Sequence, residues 1–139
     1  MQGLHLTADL RGVDPTLPLM RDAEALAVLC RAAVTQAGLT GVAELFHRFS
    51  PGDEQSGITG VVLLAESHLA IHTWPELGGV TLDVYVCNYG ADNSAKAEAL
   101  MAALIAAFAP VSVDRQSVMR AAAISAAINA SALAPLSAP

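Results

Sequence analysis

Along residues 80–87 apolar and polar side chains alternate one for one. Val80, Leu82, Val84 and Val86 fall on one side, Thr81, Asp83, Tyr85 and Cys87 on the other. A period of two predicts a half-covered strand, with helices over the valine side and polar groups on the open side. Residues 3–10 alternate more loosely and predict a first strand with His5 and Asp9 on one face. After Asp14-Pro15 and Pro18 the apolar spacing changes to steps of four and three, through Leu19, Ala23, Leu26, Cys30, Ala33 and Ala37. That spacing predicts one helix, stopped by Gly38. Residues 40–49 predict a second strand and the polar run 50–57 a loop. Ile58 to Ala65, rich in Val and Leu on both faces, is expected as the central strand; Leu69 to Thr73 follows as a short one, ended by Pro75. Asn88-Tyr89-Gly90 turns the chain, and Asn93 or Ser94 caps a second helix that runs to about Phe108 and stops at Pro110. Val111 to Val118 predicts a last strand.

The order β-α-β-β-β-β-α-β predicts an α+β fold, a two-layer sandwich of an antiparallel-rich sheet with helices on one face. Residues 1–119 form one domain, with no internal repeat. Residues 120–139 form an Ala-rich C-terminal tail whose composition suits a helix and a loose tail alike.

Composition narrows the function classes. With 54% hydrophobic and 14% charged residues the chain is globular, and so few charges imply that a second copy covers part of the apolar surface. Seven basic residues against thirteen acidic ones, with no Lys/Arg cluster, exclude a nucleic-acid partner. The N-terminus lacks the regions of a signal peptide and no run is apolar enough to span a bilayer, so the expectation is a cytoplasmic protein with no membrane partner. Cys30 lies on the apolar helix stripe and reads as a small core residue; Cys87 lies on the polar strand face.

Candidate chemistry concentrates in residues 61–76, where an apolar run ends at Glu66-Ser67 and two histidines lead to Trp74, Pro75 and Glu76. His68 and His72 are spaced as a helical metal pair, but on a strand four residues span roughly 13 Å. A metal bond near 2 Å does not bridge that gap, so no metal is expected. A hydrolase triad of Ser67 with a histidine and Asp83 or Glu76 lacks the Gly-x-Ser-x-Gly elbow. Ordinary polar residues at a strand end are the plain alternative.

The combination of Glu66-Ser67-His68, Ile71-His72-Thr73-Trp74-Pro75-Glu76, and Asp83 with Cys87 resembles the S-adenosylmethionine decarboxylases, in their short bacterial and archaeal proenzyme form. Gly3-x-His5-Leu6 and Phe46-His47-Arg48-Phe49 extend the resemblance over roughly residues 3–115. It implies self-cleavage between Glu66 and Ser67 into chains 1–66 and 67–139, with Ser67 becoming a covalent pyruvoyl group that forms a Schiff base with the substrate amine. It further implies that His72 is the processing base, that Thr59 assists where relatives usually have serine, and that Cys87 is the proton donor. Phe49, Leu69, Trp74 and Glu76 would bind substrate, Phe49 against adenine and Glu76 on the ribose hydroxyls. The expected substrate is S-adenosylmethionine, which carries an α-amino acid moiety, in polyamine biosynthesis. The expected assembly is a homodimer of cleaved protomers with sites near the interface.

Three positions depart from the family pattern. Ser50 replaces an apolar residue and opens a loop about four residues longer, carrying Asp53 and Glu54; Asn88 replaces the glycine after Cys87; Val13 replaces a cysteine. The added carboxylates leave arginine or ornithine as alternative substrates, because a carboxylate can hold a guanidinium or an amine. A non-catalytic paralogue is the reading from a different class. Strict alternation puts Ser67 and His72 on opposite strand faces, so their cooperation calls for a turn or bulge near 67–68.

Overall fold

The computed structural model describes residues 2–121. Six strands form one sheet: β1 (Gly3–Arg11), β2 (Gly41–Arg48), β3 (Ile58–Leu64), β4 (Ser67–Trp74), β5 (Gly79–Cys87) and β6 (Ser112–Arg120). Their spatial order is β2-β3-β4-β5-β1-β6, with every neighbouring pair antiparallel. Helices α1 (Pro18–Arg21), α2 (Ala23–Gln36) and α3 (Ser94–Phe108) complete an α+β fold. Residues 122–139, most of the predicted tail, lie outside the described residues.

The alternation of β5 is realised as read: Val80, Leu82, Val84 and Val86 are buried, and the intervening side chains are half-exposed. Leu4, Leu6, Ala8 and Leu10 of β1 and Leu69 and Ile71 of β4 join them. Leu26, Cys30, Ala33 and Val34 of α2, with Leu100, Met101, Leu104 and Phe108 of α3, close the core from one side. The other face of the sheet has no helix over it among the described residues.

Two expectations are corrected. The single predicted helix is two, because the Asp22 carboxylate accepts the Glu24 and Ala25 amides and starts α2 afresh. Gly38, at φ +82°, ends α2 as expected. The Ile58–Ala65 strand is not central: β3 lies one in from the β2 edge, and β4 and β5 occupy the middle. Its second apolar side, Val61 and Leu63, faces the open side of the sheet rather than a second core layer.

A buried hydroxyl fixes the far end of β4. Thr73 Oγ1 accepts the Ile58 amide at 2.9 Å and donates to the Met20 carbonyl at 2.8 Å, tying β3 and α1 to β4. Beside it a Cβ on Gly57 would sit 1.9 Å from the Thr73 carbonyl oxygen, so the loop can enter β3 only with glycine there.

Candidate active site

Ala65 and Glu66 alone connect β3 to β4. Two-residue hairpins favour primed turns with positive φ, usually at Gly or Asn. Neither Ala65 nor Glu66 has a positive φ, so the turn is held from outside instead. The Ala65 amide donates to the Thr40 carbonyl at 2.9 Å, and the Thr40 amide donates to the Glu66 carboxylate at 3.1 and 3.2 Å. The Cys87 amide donates to the Glu66 carbonyl at 2.7 Å. Residues far apart in sequence therefore meet at the Glu66–Ser67 peptide bond, with one N–H pulling electron density from its carbonyl carbon.

The β3–β4 register runs unbroken from Ser67 opposite Leu64 to His72 opposite Thr59. Of the turn or bulge expected near 67–68, the chain has the turn, at Ala65-Glu66 just ahead of Ser67, and no bulge interrupts the ladder. Ser67 shares the helix-side register of its neighbours Leu64 and Val86, while His72 lies on the open face. Five strand steps separate them, roughly 16 Å at the usual rise. Within one protomer the sequence-predicted residues thus fall into two groups.

The first group gathers Glu66, Ser67 and Cys87 at one end of β4. Beside it the His5 and His68 imidazoles share the Asp83 carboxylate, at 2.5 and 3.5 Å. Tyr85 lies between the two rings, with the Arg120 guanidinium 4.9 Å above it. Sequence reasoning named His5, His68 and Asp83 without joining them. Asp83 was legible on the polar face of β5, but its pairing with His5 depends on β1 lying next to β5.

The second group gathers Thr59, His72, Phe49, Trp74 and Glu76 at the other end. Thr59 Oγ1 lies 2.9 Å from His72 Nδ1, and Trp74 packs 5.8 Å from the His72 ring. Phe49 stacks on Trp74 with centroids 6.1 Å apart and planes 22° off parallel. These rings wall a cleft of about 410 Å³ that also carries Asp53 and Glu76. Asp53 accepts the Gln55 amide at 2.8 Å, so the extra loop uses this carboxylate to shape itself.

Leu69 is the exception among the proposed substrate contacts. It is fully buried at 0% exposure under the helices, because its odd position in β4 points it away from the open face; its side chain does not line either group. Cys30 is equally buried, and desolvation pushes its thiol up to about 12 from 9.0, with Glu44 adding to the effect. Among the described residues no cluster of three or more His, Cys, Asp or Glu is arranged to hold a metal ion, and no helix is long and apolar enough to cross a membrane.

A hydroxyl-bearing residue follows a polarised carbonyl in a tethered turn. Those are the parts an acyl shift from nitrogen to oxygen needs, so the residues fit a pyruvoyl group made from Ser67. The family model described as S-adenosylmethionine decarboxylase matches residues 4–121. The S-adenosylmethionine decarboxylase proenzyme of Picrophilus torridus is 37% identical over 118 residues, covering 85% of this chain and 83% of the relative. That of Aquifex aeolicus is 42% identical over 114 residues, covering 82% and 77%. The crystal structure of the adenosylmethionine decarboxylase from Aquifex aeolicus superposes with a TM-score of 0.72 at 41% identity, over 84% of this chain and 88% of that one. Sequence and fold together place the chain in the S-adenosylmethionine decarboxylase family.

Proposed function

We propose that this chain is a proenzyme that cuts itself between Glu66 and Ser67 and then decarboxylates S-adenosylmethionine. The observation that carries the reading is the 2.7 Å hydrogen bond from the Cys87 amide to the Glu66 carbonyl. Ser67 Oγ adds to that carbonyl carbon, and the developing oxyanion faces the Cys87 N–H. The Oγ–C bond forms as the C–N bond breaks, and the hydroxyl proton ends on the freed amine of residue 67. Loss of the Ser67 Cα proton then expels the Glu66 carboxylate from Cβ. Water adds, ammonia leaves, and residue 67 carries the pyruvoyl group.

His72 is the base for that proton, delivered by a second copy. Thr59 Oγ1 lies 2.9 Å from His72 Nδ1, and in the tautomer whose Nδ1–H donates to that oxygen Nε2 is the free basic nitrogen. Since His72 lies roughly 16 Å from Ser67 in its own protomer, the open faces of two sheets must meet. Ala70 lies midway between His68 and His72, so a two-fold axis near Ala70 carries each His72 to the other copy's His68, at the end of β4 that bears Ser67. Exposed apolar side chains on the same face, Leu45 at 69% and Leu63 at 49%, gain cover in that dimer.

Once formed, the pyruvoyl carbonyl condenses with the substrate amine and accepts the electrons released with carbon dioxide. The Cys87 thiol, on the open face of β5, returns a proton to the substrate α-carbon. Phe49 and Trp74 offer flat apolar faces to adenine, and Glu76 offers a carboxylate to the ribose hydroxyls. Intact-mass measurement with a carbon dioxide release assay on S-adenosylmethionine, arginine and ornithine tests the proposal. Two fragments and turnover of S-adenosylmethionine are expected. A chain that never splits would favour an inert paralogue, and release from arginine or ornithine alone would reassign the substrate.

A further inference from the structure

Cys87 is held at more points than a strand residue needs. Its N–H is on the Glu66 carbonyl, its carbonyl accepts the Asn93 side-chain amide at 2.9 Å, and its Sγ accepts the Tyr89 amide at 3.4 Å. Asn93 occupies the N-cap position of α3, where an asparagine side chain ordinarily accepts a first-turn amide. Here it makes no capping bond; Asp92 accepts the Ser94 amide instead, at 2.9 Å. The Asn93 side chain, with the residue only 7% exposed, is spent on Cys87.

Asn88 fixes Asn93 in turn. Its Oδ1 accepts the Asn93 amide at 2.8 Å, its Nδ2 donates to Ser94 Oγ at 3.1 Å, and its own amide donates to the Gln2 carbonyl at 2.8 Å. These bonds close a clasp from the end of β5 to the start of α3.

We infer that Asn93, seconded by Asn88, is a positioning residue for both tasks of Cys87: it aims the Cys87 N–H at the Glu66 carbonyl and sets the thiol on the open face. The inference rests on the self-cleaving reading above. It gives Asn93 an effect on cleavage that the Cys87 thiol itself does not have. A donor displaced from a developing charge forfeits much of its stabilisation, so losing the clasp slows the cut even though the Cys87 N–H remains.

Asn93→Asp keeps size and capping ability but sets an acceptor against the Cys87 carbonyl, a contact the carbonyl repels. Asp92→Ala removes the α3 cap and leaves the clasp intact. Cleavage of freshly refolded full chain, followed by intact mass, is expected to slow about tenfold or more in Asn93→Asp and to keep its rate in Asp92→Ala. Amide hydrogen exchange at Cys87 is expected to speed up in Asn93→Asp while Val84 keeps its protection. Equal slowing by Asp92→Ala, or unchanged cleavage and exchange in Asn93→Asp, overturns the inference. If Asn93→Asp fails to fold, Asn88→Ala decides by the same two readouts. A wild-type chain that stays whole counts against the self-cleaving reading, and exchange at Cys87 then judges the clasp by itself.

Discussion

Cys87 contributes two separable groups, a backbone N–H and a thiol. Cys87→Ala keeps the N–H, so cleavage is expected to proceed while turnover falls by about 10²-fold, the usual scale for losing a positioned proton donor. Intact mass and carbon dioxide release read the two effects apart, and loss of cleavage would contradict this division. Thr59 is a test of the same kind for His72. Thr59→Val, nearly the same shape without the hydroxyl, is expected to slow the cut about tenfold, and Thr59→Ser to restore it. Cys30 provides a pH signature. Its folded thiol titrates near 12 against an ordinary 9.0, so its contribution to stability is complete below pH 9.0 and is lost as pH rises toward 12. Cys30→Ala is expected to flatten the alkaline side of the denaturation-midpoint profile. Most candidate site residues were legible because they lie within residues 61–76, with Phe49, Thr59 and Cys87 outside it; the hydrogen bond from Cys87 to Glu66 was not, because it joins β5 to a turn and depends on register.

At the level of elements, the strands most readable from pattern were those with one buried face. In β5 each valine is covered and each polar neighbour half-open, so a period of two identifies both sides. The apolar content of β3 misled for a physical reason: Val61 and Leu63 need cover, and a run of residues cannot say whether a core layer or another copy gives it. The helix was misjudged because Asp22 sits inside an unbroken apolar spacing and wins the α2 amides. Asp22→Ala is expected to cost about 1 kcal/mol in urea denaturation, with cleavage unchanged. Alternation along β4 rightly placed Ser67 and His72 on opposite faces. Of the turn or bulge that this called for, only the turn at Ala65-Glu66 is present, and the ladder beyond it is unbroken, so the two side chains stay on opposite faces of one protomer.

For the whole molecule, the proposed division of the site between copies would make chemistry depend on association. Co-expression of Ser67→Ala with His72→Ala is expected to restore cleavage to roughly half of the His72→Ala chains, the statistical share in mixed dimers. Neither variant alone should split, and no rescue on mixing would mean that each protomer completes its own site. The arrangement of strands bears on what the proposed cut would release. Residues 1–66 supply β1, β2 and β3, and residues 67–139 supply β4, β5 and β6, yet β1 runs between β5 and β6. Severing one peptide link therefore frees nothing: each fragment is threaded through the other like interlaced fingers. The halves are expected to travel as a single particle in native mass spectrometry and to part only in denaturant.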